Sequence, residues 1–192
     1  MNFIKHPLED TLVYEQTLPL AWELFDLATE AAVFATFSRN NENLLKVLLG
    51  TDDIGKDHEE GGRETSHELQ RIEAKVDLLL QWLGQWVATT QGIPPETAVS
   101  FSDAGIKVSL PQTGVVSAIE VGHGVLFHVY LDKHYPQALH LPGEVYAVEQ
   151  AANQSTIVAT FTGLHPDTYD LIEKFIFREH RRKIAASKRN PT

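Results

Sequence analysis

The spacing of apolar residues changes from helical to alternating near Glu96. Residues 1–19 show no clear period and are punctuated by Pro7 and Pro19. From Ala21 to Leu49 the pattern is helical, with Trp22, Phe25, Leu27, Ala31, Phe34 and Phe37 about one face apart. A break between two helices is expected at Arg39, Asn40 and Asn41, and Gly50 is a suitable stop. Residues 51–64 are acidic and glycine-rich and predict a linker.

The strongest local signal follows. Thr65 and Glu68 have the spacing of a capping box, and the helix they open is expected to end before Gly92 and Pro94. Within it Leu69, Ile72, Val76, Leu79, Leu83 and Trp86 are spaced three and four residues apart, a seam of a and d positions. Leu80 and Trp82 fall at e and g and widen the apolar face. A two-stranded coil keeps those positions wet, so the wide stripe predicts more strands or packing on another domain.

Beyond Glu96 the period is two. Runs appear at Val99–Phe101, Ile106–Leu110, Val115–Val121, Val125–Leu131, Val145–Ala147 and Ile157–Phe161. Turn signals separate them at Asp103-Ala104-Gly105, Gly122-His123-Gly124, Pro142-Gly143 and Asn153-Gln154. Six short strands at this spacing predict an antiparallel barrel or sandwich. A last helix is expected from Pro166, with Leu171, Ile172, Phe175 and Ile176 as its docking stripe. The organisation expected is therefore α+β: an N-terminal helical region and linker over 1–64, a heptad helix over 65–91, and a barrel with a terminal helix over 92–192.

Composition narrows the function. The chain has 192 residues, 43% of them hydrophobic and none of them cysteine. This supports a real core and excludes a disulfide scaffold, a thiolate zinc site and a cysteine nucleophile. No apolar run reaches the ~18 residues that span a bilayer, and the first 20 residues lack the apolar core of a secretory leader. A cytoplasmic protein without membrane insertion is expected. The formal charge of −10 argues against nucleic-acid binding. The charge is uneven: six of the 16 basic residues lie from Arg178 onward, opposed there by Glu179 alone. This predicts a basic helix end facing solvent or the acidic linker. Nine histidines are scattered without metal-ligand spacing. No nucleophile elbow, phosphate loop or Ser/His/Asp grouping is present. No metal, resident cofactor or enzymatic activity is expected.

One motif stands out: Ser100-Phe101-Ser102-Asp103-Ala104-Gly105, leading into Ile106-Lys107-Val108. Taken alone it suits a tight hairpin. In its context it resembles the PilZ family of six-stranded barrels, which bind cyclic di-GMP through an arginine motif (RxxxR) before the barrel and a (D/N)xSxxG motif on the early strands. Ser102 and Gly105 match that second motif, and Ser100 departs from its Asp/Asn place. The segment Leu171 to Arg182 is similar to the terminal PilZ helix. With the heptad helix added, the whole chain resembles the atypical, tetrameric PilZ subgroup, in which a long helix assembles four subunits and the nucleotide motifs are degenerate.

The resemblance implies a homotetramer held by the heptad helix, and a non-enzymatic regulatory role in cyclic di-GMP signalling through protein contacts. The partner would be a signalling, pilus or motility protein. The arginine motif is missing before the barrel; the one RxxxR string is Arg178 to Arg182, on the last helix. Cyclic di-GMP binding is therefore expected to be weak or absent. A first alternative is a true receptor using Ser100, Ser102 and Gly105 with help from Arg178, Arg181 and Arg182. A second is a flavin-binding split-barrel oxidoreductase, for which the sequence offers no phosphate-binding cluster.

Overall fold

A computed structural model describes residues 7–9, 11–50, 71, 72, 75, 76, 78, 79, 82, 92, 94–132 and 137–189. Six antiparallel strands close into a barrel in the order β1-β2-β3-β6-β5-β4. The strands are β1 (Tyr14–Leu24), β2 (Glu96–Phe101), β3 (Gly105–Pro111), β4 (Gly124–Val129), β5 (Leu139–Gln150) and β6 (Gln154–Phe161). Helix α1 (Ala31–Gly50) lies between β1 and β2, a single turn α2 (Gly114–Ser117) between β3 and β4, and α3 (Pro166–Arg189) closes the chain. Inward residues of the alternating runs fill the barrel, among them Leu20, Val99, Phe101, Ile106, Phe127, Leu141 and Ile157. Leu44, Leu45 and Leu48 of α1, and Ile172, Phe175 and Ile176 of α3, join the same core. Full burial of one such side chain contributes about 1.5–3 kcal/mol.

The strand number matches the sequence, but one of the six members differs. The run Val115–Val121 is not a strand. Val116 and Ile119 are buried while Val115 and Val121 are exposed, which is helical spacing, and Thr113 caps the turn by accepting from the Val116 N–H at 3.3 Å. The missing strand comes from the N-terminus. Tyr14, Leu18, Leu20, Trp22 and Leu24 alternate, and β1 pairs with both β2 and β4. The barrel is thus not confined to 92–192, and residues Ala21–Leu24 are strand rather than helix. Nor is there a break at Arg39–Asn41, since α1 runs unbroken through them.

Two prolines mark where strands change partners. β1 pairs with β2 up to Pro19 and with β4 from Leu20. β5 pairs with β4 up to Glu144 and with β6 from Gly143. Pro19 and Pro142 sit at these handovers, and their carbonyls accept from Tyr130 N–H at 3.1 Å and Thr162 N–H at 3.0 Å. Proline lacks a ladder donor, and at a handover none is needed. Pro142-Gly143, expected as a turn, therefore lies inside β5. A Cβ on Gly143 would stand 2.9 Å from the Thr160 carbonyl oxygen, so the strand bends close to its neighbour there.

Of the heptad helix, Arg71, Ile72, Lys75, Val76, Leu78, Leu79 and Trp82 have helical backbone. Seam residues Leu69, Leu83 and Trp86, with Leu80 and the Thr65 cap, lie outside the described residues. No helix among the described residues is long and apolar enough to cross a membrane.

Candidate functional site

Ser102 and Gly105 form one unit at the β2–β3 turn. The Ser102 N–H donates to the Gly105 carbonyl at 2.9 Å. The Ser102 hydroxyl donates to the Pro7 carbonyl at 2.8 Å and accepts from the Ala104 N–H at 3.0 Å. Ser102 is wholly buried, and both lone tasks of its hydroxyl are internal. Gly105 is required by close approach: a Cβ there would stand 2.4 Å from the Ala159 carbonyl oxygen and 2.6 Å from Pro7 Cβ. Pro7 thus covers both residues. Ser100 is separate. It pairs with Glu15 and Lys107 on the strand face opposite the buried Val99 and Phe101.

Of the three arginines, Arg178 and Arg182 meet at Glu179 and Arg181 stands apart. Arg178 is largely buried, donates to the Leu48 carbonyl at the end of α1, and lies over the Phe175 ring at 5.4 Å. It also meets Glu179 at 2.9 Å. The expectation of a wholly solvated basic end therefore fails at Arg178: its charge complements the carbonyl end of α1. Arg181 stands over the exposed Phe177 ring at 5.8 Å. Arg182 meets Glu179 Oε1 at 2.8 Å. Residues 181–188 are exposed.

Three further groupings were not foreseen. Asn41 of α1, fully buried, holds β5 by two bonds: its amide donates to the His140 carbonyl and its oxygen accepts from the His140 N–H, both at 2.8 Å. The His140 ring stacks on Phe37 at 5.4 Å and meets His128 edge-on at 5.0 Å. Its Nδ1 is buried without a partner. Burial, and then the neighbouring His128, push the His140 pKa below the ordinary imidazole value. Single-residue spacing gives no warning of this contact, since Asn41 and His140 are 99 positions apart.

At the start of α3, Glu42, His165 and Asp167 bring ligand atoms within 4.8 Å of one another. Lys46 already pairs with Glu42 at 3.3 Å, and His165 Nδ1 accepts from the Asp167 N–H at 3.3 Å. The group ties α1 to the first turn of α3. The third grouping is an open groove of about 560 Å³ between β1 and the second half of α3. Tyr14 stands in its wall, packed on Phe101 and Phe175. Burial and the Glu179 carboxylate push its phenol up, against the lowering effect of Arg178.

Of the expected seam, Ile72, Val76 and Leu79 are helical and 57%, 46% and 63% exposed in the single chain. Trp82 beside them is 64% exposed.

The family model for the atypical PilZ domain, described as a cyclic di-GMP receptor, matches residues 45–189. A comparison with curated proteins finds no match. Among solved structures, the chain is similar to a pathogenic protein from Xanthomonas campestris, a tetrameric PilZ domain self-assembled through an unusual helical bundle. The TM-score is 0.72 and the identity 26%, over 92% of each chain. The Bacillus subtilis inhibitor of motility matches at a TM-score of 0.38 and 12% identity over 46% of this chain and 43% of that one, a likeness that carries no argument. By its family match, its closed barrel and its terminal helix, the chain belongs to the atypical PilZ domain family, a family of non-enzymatic effector domains with a regulatory signalling role.

Proposed function

We propose that this chain is a self-assembling regulator that works through protein contacts, with weak or absent binding of cyclic di-GMP. The observation that carries the reading is the exposed stripe of Ile72, Val76, Leu79 and Trp82. The Xanthomonas campestris protein, similar over 92% of this chain, assembles through a helical bundle. Four copies would bury a stripe too wide for a two-stranded coil. The weak-binding reading is supported by the burial of Ser102 and Gly105 beneath Pro7 and by the engagement of Arg178 at the end of α1. A nucleotide with two phosphates calls for guanidinium forks free to grip it, and here Arg178 and Arg182 are both engaged by Glu179 while Arg181 stands over Phe177. The regulated process would be pilus or motility control.

Light scattering tests the assembly. The wild type should show four times the mass of the 21.5 kDa chain. Ile72→Asp with Leu79→Asp should give a monomer that keeps its barrel signal, because neither side chain is buried within its own chain. A monomeric wild type overturns the assembly. Calorimetry with cyclic di-GMP tests the second half, and a micromolar dissociation constant overturns it.

A further inference from the structure

The groove between β1 and α3 has a strand edge along one wall. The direction of each β1 residue follows from two bonds: Leu20 N–H donates to the Pro95 carbonyl on the β2 side, and the Pro19 carbonyl accepts from Tyr130 on the β4 side. Main-chain groups alternate along a strand. Glu15 and Thr17, of the same parity as Pro19, therefore aim their N–H and C=O groups to the β4 side. The β4 ladder ends at Leu20 paired with Val129. Among the described residues, no main-chain partner takes the outward groups of Glu15 and Thr17. Glu15, Gln16 and Thr17 are exposed, between the half-buried Tyr14 and the buried Leu18, Pro19 and Leu20.

Helix α3 forms the facing wall. His180 and Lys183 line it with no ion pair among the described residues, while the Glu179 carboxylate is already held by Arg178 and Arg182. The wall thus sets the Lys183 ammonium and the His180 ring beside a strand edge with no main-chain partner among the described residues, across from Glu15.

We propose that this groove takes an extended acidic peptide segment of a partner protein, which adds as a short strand to the β1 edge and lays its carboxylates against His180 and Lys183. Main-chain bonds to Glu15 in the groove wall and to Thr17 just beyond it supply the grip, and Lys183 with His180 supplies the selectivity. The inference gives a partner chemistry to the protein contacts proposed above. It rests on that reading but not on the tetramer.

The probe is a fluorescent eight-residue peptide alternating aspartate and valine, measured by anisotropy on the full chain. Binding is expected at about 1 mM or tighter. Lys183→Glu with His180→Glu should weaken it about ten-fold or more at low salt, as exposed charge pairs do when reversed. Methylating alternate peptide amides should abolish it, and a lysine–valine peptide should not bind. The proposal is overturned if the wild type shows no binding at that concentration. Equal binding of the methylated or lysine peptide also overturns it. Displacement by inorganic phosphate or cyclic di-GMP would make this a small-anion site and equally overturn it. Light scattering on the same samples separates the readings: a monomer that binds the peptide sinks the self-assembly alone.

Discussion

The guanidinium of Arg178 on α3 donates to the main-chain carbonyl of Leu48 on α1. The last carbonyls of a helix have no partner in their own helix, and here the second helix provides one. The contact locks the end of α1 to the middle of α3, beside the packing of Leu48, Phe175 and Ile176 in the core.

Replacing Arg178 by alanine should cost about 1.5–3 kcal/mol, the worth of one hydrogen bond to a charged group. Deletion of residues 183–192 should leave the melting temperature nearly unchanged, because those side chains are exposed wherever described. Thermal denaturation of the two variants side by side checks the contrast.

Asn41→Ala should cost about 1–3 kcal/mol, since it strands a part-buried N–H and C=O of β5 together. Asn41→Asp should recover little: a carboxylate accepts from the His140 N–H but has no proton for the His140 carbonyl. Urea unfolding is the measurement.

Stability should fall as the pH drops below about 6.5, the unfolded value for histidine. The folded His140 has the lower pKa, so the unfolded chain binds more protons in this window and stability rises with pH across it. The groups acting on the ring are His128, in turn 3.4 Å from Glu23, the Ala138 main chain and the uncharged Phe37. Unfolding free energies between pH 5 and 8 should lose part of this slope in His140→Phe. An unchanged slope would clear His140 of the effect.

Ser102→Ala should cost about 1–3 kcal/mol, because the Pro7 carbonyl and the Ala104 N–H both lose their partner. Gly105→Ala should cost at least about 1–3 kcal/mol by overpacking against Ala159 and Pro7. Neither change should alter the calorimetric trace with cyclic di-GMP. A binding loss in a still-folded Ser102→Ala would return that residue to a ligand role.

The alternating runs around Phe101, Ile106, Phe127 and Ile157 were legible because each strand has one buried and one wetter face. The stripe of α3 and its start at Pro166 were legible for the same reason. β1 was hidden by Pro19, which looks like a terminator until the handover between β2 and β4 is known. Pro142 misled in the same way. Val115–Val121 was misassigned because valines favour strands, while the one-turn helix there is set by the Thr113 cap. At the candidate site, the match of Ser102 and Gly105 to a motif was visible, but their burial was not: it comes from Pro7, 95 residues earlier. The β1 edge and the Asn41–His140 lock are likewise products of distant segments meeting.

β1 leaves the ribosome first, yet its two neighbours are β2 and β4, encoded on the far side of α1 and the heptad segment. At ~5–20 residues per second, the roughly 80–110 residues in between take on the order of 5–20 s to synthesise. For that interval an alternating strand waits without a ladder. Its closing contacts are the most distant in the barrel, so closure is expected to be the late, slow step of folding. Until then, the nascent chain is most exposed to strand exchange with its neighbours on the same message, in a protein whose copies are proposed to assemble anyway.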